Sequence, residues 1–121
     1  MSKITNPKQY DLEDRTFQFA KNVRNFIRKF PKNIANIEDA HQLVRASGSV
    51  GANYIEANEA LSKKDFIHRI KICRKESKES KYWLKLVYIE DNEKLEQERS
   101  ALIQESTELM NIFGAIIHKS E

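Results

Sequence analysis

Apolar positions along the chain advance by fours and threes. Leu12, Thr16, Phe19, Val23, Phe26 and Phe30 fall on one face of a helix, and Phe17, Ala20 and Ile27 widen that stripe. Pro31, which lacks a backbone N–H and clashes with the preceding turn, stops this first helix. Asn36 followed by Asp39 has the form of an N-cap with an acidic third position, and it opens a second segment running to Asn58 or Glu59. Ser62 and Asp65 repeat the device ahead of a long third helix whose inward stripe is Phe66, Ile70, Cys73, Ser77, Ser80, Leu84 and Val87. Asp91-Asn92 ends or kinks that helix, since neither Gly nor Pro stands there. The pattern restarts as Leu95, Leu102, Ser106, Leu109, Phe113 and Ile116, flanked by Ile103, Met110 and Ile117.

With only three glycines and two prolines in 121 residues, the chain has too little turn punctuation for a many-stranded fold. Four amphipathic segments joined by short polar connections pack most simply as an all-α, antiparallel up-down-up-down four-helix bundle. One domain over residues 1–121 is expected, with 1–10 as a loose arm; no internal repeat or linker divides it. A lone cysteine forms no intramolecular disulfide. The longest apolar runs fall far short of the ~20 residues that span a bilayer, and the N-terminus carries no signal-type stretch, so a cytoplasmic protein without membrane contact is expected.

The formal net charge of +3 hides a strong alternation. Residues 1–33 carry 8 basic and 3 acidic side chains, residues 34–62 carry 1 and 4, residues 63–89 carry 9 and 3, and residues 90–121 carry 3 and 8. Basic first and third helices therefore alternate with acidic second and fourth segments. On the third helix Lys64, His68, Lys71, Lys75, Lys78, Tyr82 and Lys85 follow the helical step, forming a ridge of five lysines and a tyrosine, with Arg69, Arg74 and Lys81 near it. One reading is a solvated face balanced by the acidic fourth helix. The other is a surface that tracks phosphates and releases counterions, on which Tyr82 stacks against an unpaired base. No motif of the established nucleic-acid readers is present.

The second helix contains Arg45-Ala-Ser-Gly-Ser-Val-Gly-Ala-Asn53, in which two interior glycines each cost about 1 kcal/mol relative to alanine. Small side chains allow a neighbouring helix to approach closely. The same run puts Arg45, Ser49, Asn53 and Glu56 on one face, where buried polar atoms need partners. Glu76 and Glu79 are the candidates for Arg45, with Ser77 and Ser80 nearby, and the expected result is a structural polar network that sets helix register.

Residues Gln42 to Ala57 (QLVRASGSVGANYIEA) resemble the signature of the bacterial 23S ribosomal RNA intervening-sequence protein family, and Lys71 to Ser80 (KICRKESKES) is similar to its third-helix motif. The resemblance spans about Phe17 to Ile117. Arg45, Ser49, Asn53, Glu56 and Glu79 match the family's characteristic polar positions. Tyr54-Ile55 stands where Ile-Ala is commoner, and Cys73 replaces a usual alanine. The resemblance implies a four-helix bundle, a ring-shaped homopentamer and kinship with the basic accessory proteins of retroelement reverse transcriptases. It implies no settled activity.

Glu38 with His41, and Asp65 with His68, have the i, i+3 spacing of di-iron bundles. Both pairs fall in first turns rather than mid-bundle, and His68 lies on the lysine ridge, so no metal or other cofactor is expected. Cys73 belongs to a core stripe without an evident base, and His118 sits near a helix C-terminus, so neither suggests catalysis. The expectation is a non-enzymatic homo-oligomer without a small-molecule substrate. It contacts RNA or DNA through Lys64, Lys71, Lys75, Lys78 and Lys85 of the third helix, with Arg24 and Arg28 of the first. The alternative is an assembly scaffold whose basic helices meet acidic helices of neighbours, with Trp83 or Tyr88 as aromatic anchors.

Overall fold

The computed structural model describes residues 12–121; the expected arm over 1–10 lies outside them. Four helices follow in order: α1 (Leu12–Ile27), α2 (Ile34–Asn58), α3 (Lys63–Leu86) and α4 (Glu93–Ser120). Each packs against its neighbour in sequence, and α4 closes back on α1. Among the described residues α1 and α3 do not touch, so they stand on one diagonal of a square bundle, with α2 and α4 on the other. No helix is long and apolar enough to cross a membrane among the described residues.

The stripes read from the sequence form the core. All six positions from Leu12 to Phe30 are buried, as are Ile70, Cys73, Ser77, Ser80, Leu84 and Val87 on the third helix side and Leu95, Leu102, Ser106, Leu109 and Phe113 on α4. Three stripe assignments change, the first being Phe66, expected on the inward stripe of α3 and only partly buried. Phe17, expected to widen the apolar face of α1, is 59% exposed, and on α4 it is Ile117 that is buried while Ile116 is only partly so. The buried serines satisfy themselves within their own helices, Ser77 Oγ donating to Cys73 O at 2.9 Å and Ser80 Oγ to Glu76 O at 2.8 Å. They let the helices approach without leaving polar atoms unpaired.

The close approach of α1 and α2 explains one glycine. A Cβ on Gly51 would lie 2.9 Å from Thr16 Oγ1 and 3.2 Å from Thr16 Cβ. Gly48 meets only the end of the Arg24 side chain, at 3.3 Å.

The start of α2 corrects the expected cap. Asn33, not Asn36, is the N-cap, accepting from Asn36 N at 2.9 Å. Asn36 lies inside the helix, 1% exposed, and serves a distant segment. Its amide donates to Pro31 O at 2.8 Å and Tyr88 O at 2.7 Å, and its carbonyl accepts from Tyr88 N at 3.0 Å. One side chain thus fixes the α1–α2 connection and the α3–α4 connection at the same end of the bundle. Ser62 caps α3 as expected. A true turn separates α3 from α4, with Glu90 at φ 58 and Asn92 capping α4.

Candidate nucleic-acid interface

Lys64, His68, Lys71, Lys75, Lys78, Tyr82 and Lys85 are all exposed. Opposite the core stripe of α3, they point outward along a helix that carries them about 31 Å from first to last. Among the described residues the five lysines make one approach to a carboxylate, Lys75 Nζ to Glu76 at 3.9 Å.

The carboxylates of α4 are used elsewhere. Arg15 on α1 holds Glu105 with a two-pronged bond, Nε to Oε2 at 2.8 Å and Nη2 to Oε1 at 2.9 Å, and also donates to Glu108 at 2.7 Å. These acids raise the Arg15 pKa further above its ordinary value, against the opposing effect of burial. Lys29 reaches Glu98 at 3.1 Å. The α4 residues that share a hollow with Lys71, Lys75 and Lys78, namely Met110, Asn111 and Gly114, carry no charge, whereas Glu121, just past α4, shares a hollow with Lys64, His68 and Lys71. The ion pairs made by α4 thus lie on the Arg15 and Lys29 side, while the α3 lysines are solvated.

Arg24 and Arg28 do not extend the lysine ridge. Arg24 lies over Gly48 on the α1/α2 seam, with Nη1 donating to Ala20 O at 3.0 Å. Arg28, exposed, bonds Asn25 at 2.7 Å. Since α1 and α3 are diagonal, a single face formed by both helices does not exist within one chain.

The polar network lies on the α2/α3 seam, beside the ridge. Arg45 Nη2 donates to Glu79 Oε2 at 2.6 Å, and the indole N–H of Trp83 donates to the same oxygen at 3.1 Å. Glu76, 5% exposed, lies 3.6 Å from Arg45 Nη1 and keeps one buried oxygen without a hydrogen bond. A turn and more away, Asn53 Nδ2 donates to Ser49 O and Oγ, while its carbonyl accepts from Arg69 at 3.0 Å. Glu56 is exposed and takes no part. Arg69 takes its place; the sequence had grouped it with the ridge, and only its phase one edge nearer α2 distinguishes it.

The remaining candidates are structural. Cys73 is fully buried and donates to Val50 O at 3.4 Å, and burial pushes its thiol up to about 12. Tyr54 packs on the Phe113 ring at 6.0 Å, and burial raises its phenol too. Glu38, His41, Asp65, His68 and His118 are exposed or nearly so. Tyr88 is exposed and Trp83 half-buried.

Known proteins bear on this arrangement in three ways. The sequence model described as 23S rRNA-intervening sequence protein matches residues 8–115. A crystal structure from Bacteroides thetaiotaomicron, of a protein of unknown function from the S23 ribosomal protein family, superposes with a TM-score of 0.72 and 30% identity. The match covers 87% of this chain and 96% of that one. No curated protein matches the chain.

Proposed function

From the premise that this chain belongs to the 23S rRNA-intervening sequence protein family, we propose that it is a non-enzymatic bundle protein that contacts RNA or DNA phosphates through the outward ridge of α3. Lys64, Lys71, Lys75, Lys78 and Lys85 carry the contact. The observation behind this reading is that the acidic helix α4 spends Glu98, Glu105 and Glu108 on Lys29 and Arg15, while among the described residues the five α3 lysines make one ion pair, the long approach of Lys75 to Glu76 at 3.9 Å. Cations held in a line can neutralise successive phosphates and gain free energy by releasing counterions. The family's name and the expected kinship with retroelement accessory proteins point the same way, to a cytoplasmic nucleic-acid setting. Arg24 and Arg28 form a separate charged site on the other side of the subunit.

The proposal includes a homo-oligomer, with the pentamer that the resemblance implies. Phe17 and Ile55, exposed on either side of the Thr16–Gly51 contact, and Ile37, five helical turns before Ile55, leave apolar surface on α1 and α2 that suits contact between copies. Such an assembly repeats the α3 ridge and multiplies its affinity. The same apolar surface favours the second reading, an assembly module without nucleic acid.

Replacing Lys71, Lys75 and Lys78 together by glutamate separates the two. On the first reading, anisotropy with a labelled structured RNA records a loss of about a hundredfold or more at low salt, with helicity and oligomer mass unchanged. Equal affinity for the variant and the wild type would overturn it.

A further inference from the structure

Tyr82 interrupts the lysine ridge, and its surroundings suit a flat ring better than a phosphate. The side chain is 58% exposed and stands one turn after Lys78 and one turn before Lys85. Its ring meets Trp83 edge to face, with centroids 4.9 Å apart and planes at 78°. Trp83 is anchored by Glu79, and Glu79 by Arg45, so the exposed tyrosine leans on the ion pair that ties α2 to α3. Beside it lies an open hollow of about 440 Å³ floored by Leu86 and Met110 and rimmed by Lys78, Lys81 and Lys85. Leu86 is 51% exposed.

An aromatic face over an apolar floor, set among cations, is what a single-stranded segment needs: its bases stack while its phosphates are neutralised. A base inside a duplex is already stacked on its neighbours and must be extruded to reach such a ring. The five ridge lysines also run along one line of α3, with Arg74 and Lys81 beside them on the same helix. The adjoining α4 edge, with Met110, Asn111 and Gly114, offers no second row of cations to follow the other strand of a duplex.

We propose that the hollow at Tyr82 takes an unpaired base of a single-stranded RNA or DNA segment whose phosphates lie on the α3 lysines. This rests on the ridge reading and adds a preference for unpaired strands. Its test is anisotropy on the wild-type protein, Tyr82→Ala and Tyr82→Phe, with a short oligouridine, an oligothymidine and a duplex of matched length. Single strands bind the wild type about tenfold tighter than the duplex. Tyr82→Ala loses about tenfold on single strands and nothing on the duplex, while Tyr82→Phe keeps the wild-type affinity. The two single strands report whether the ribose–uracil or the deoxyribose–thymine strand is preferred. Trp83, the sole tryptophan, reports base stacking on its neighbour as quenched emission. Equal binding of strand and duplex, unchanged by Tyr82→Ala, would overturn the stacking site while sparing the ridge. Absence of binding to all three would overturn both.

Discussion

Helices α1 and α3 are both basic, and the bundle treats their charge in opposite ways. The cations of α1 that face α4 are taken up by it: Arg15 is largely buried against Glu105 and Glu108, and Lys29 meets Glu98. The lysines of α3 face water, one turn after another, beside the uncharged Met110, Asn111 and Gly114 of the same α4, with Glu121 near Lys64 and Lys71. Net charge per segment is therefore a poor guide to available charge. The deciding variable is which neighbour each helix face meets: α4 packs on both α1 and α3, and its Glu98, Glu105 and Glu108 lie on the side that meets Arg15 and Lys29.

Because of this contrast, equal chemical changes on the two helices have unequal consequences for folding. The largest effect falls on the paired side. Arg15→Ala removes three charge-assisted bonds from a side chain 16% exposed and lowers unfolding free energy by about 2 kcal/mol in urea titration, leaving nucleic-acid affinity unchanged. The seat of α1 on α2 gives a similar or slightly smaller loss. Gly51→Ala forces a methyl against Thr16 and costs about 1–3 kcal/mol, whereas Gly48→Ala displaces only the tip of Arg24 and stabilises by up to about 1 kcal/mol through helix propensity. Thermal melts of the two variants, read side by side, check the difference in sign.

The inner face of α3 makes stability depend on alkaline pH. Cys73 has a folded pKa of about 12 against an ordinary value of 9.0, so the unfolded chain releases its proton first. Its contribution is complete below pH 9 and is lost as the pH rises toward 12. The slope is at most about 1.4 kcal/mol per pH unit. Cys73→Ala flattens that alkaline slope, which denaturant titrations at stepped pH measure. The smallest effects belong to the ridge: Lys71→Ala, Lys75→Ala or Lys78→Ala each shifts stability by less than about 0.5 kcal/mol in the same assay, because an exposed unpaired lysine supports little of the fold.

Much of this was legible in the sequence because a helix repeats. The core stripes, the Ser62 cap and the outward phase of the lysines follow from spacing alone, and the Arg45–Glu79 pair follows from complementary charges on segments expected to be neighbours. What periodicity does not carry is the identity of the element across each seam. Asn33 and Asn36 stand three apart and either can cap, so the capping residue is decided by Tyr88, fifty-two positions beyond Asn36, which claims the second asparagine. Arg24 has the right charge but lies on the opposite seam, over Gly48. Glu56 shares the phase of Arg45, yet it sits where α3 offers no cation, while Arg69 finds Asn53 instead. Phe17 borders the apolar stripe in sequence, but its position one residue past Thr16 turns it outward.

The claim that the α3 ridge is free to hold phosphates is tested most directly by the salt dependence of binding. Anisotropy titrations with a labelled single-stranded RNA across a range of salt concentrations give log affinity against log salt. Three to five phosphates held by the ridge predict a straight line with a slope of about −2 to −3.5. A slope near zero, or no binding at the lowest salt, would contradict the account and leave the ridge a solvated face.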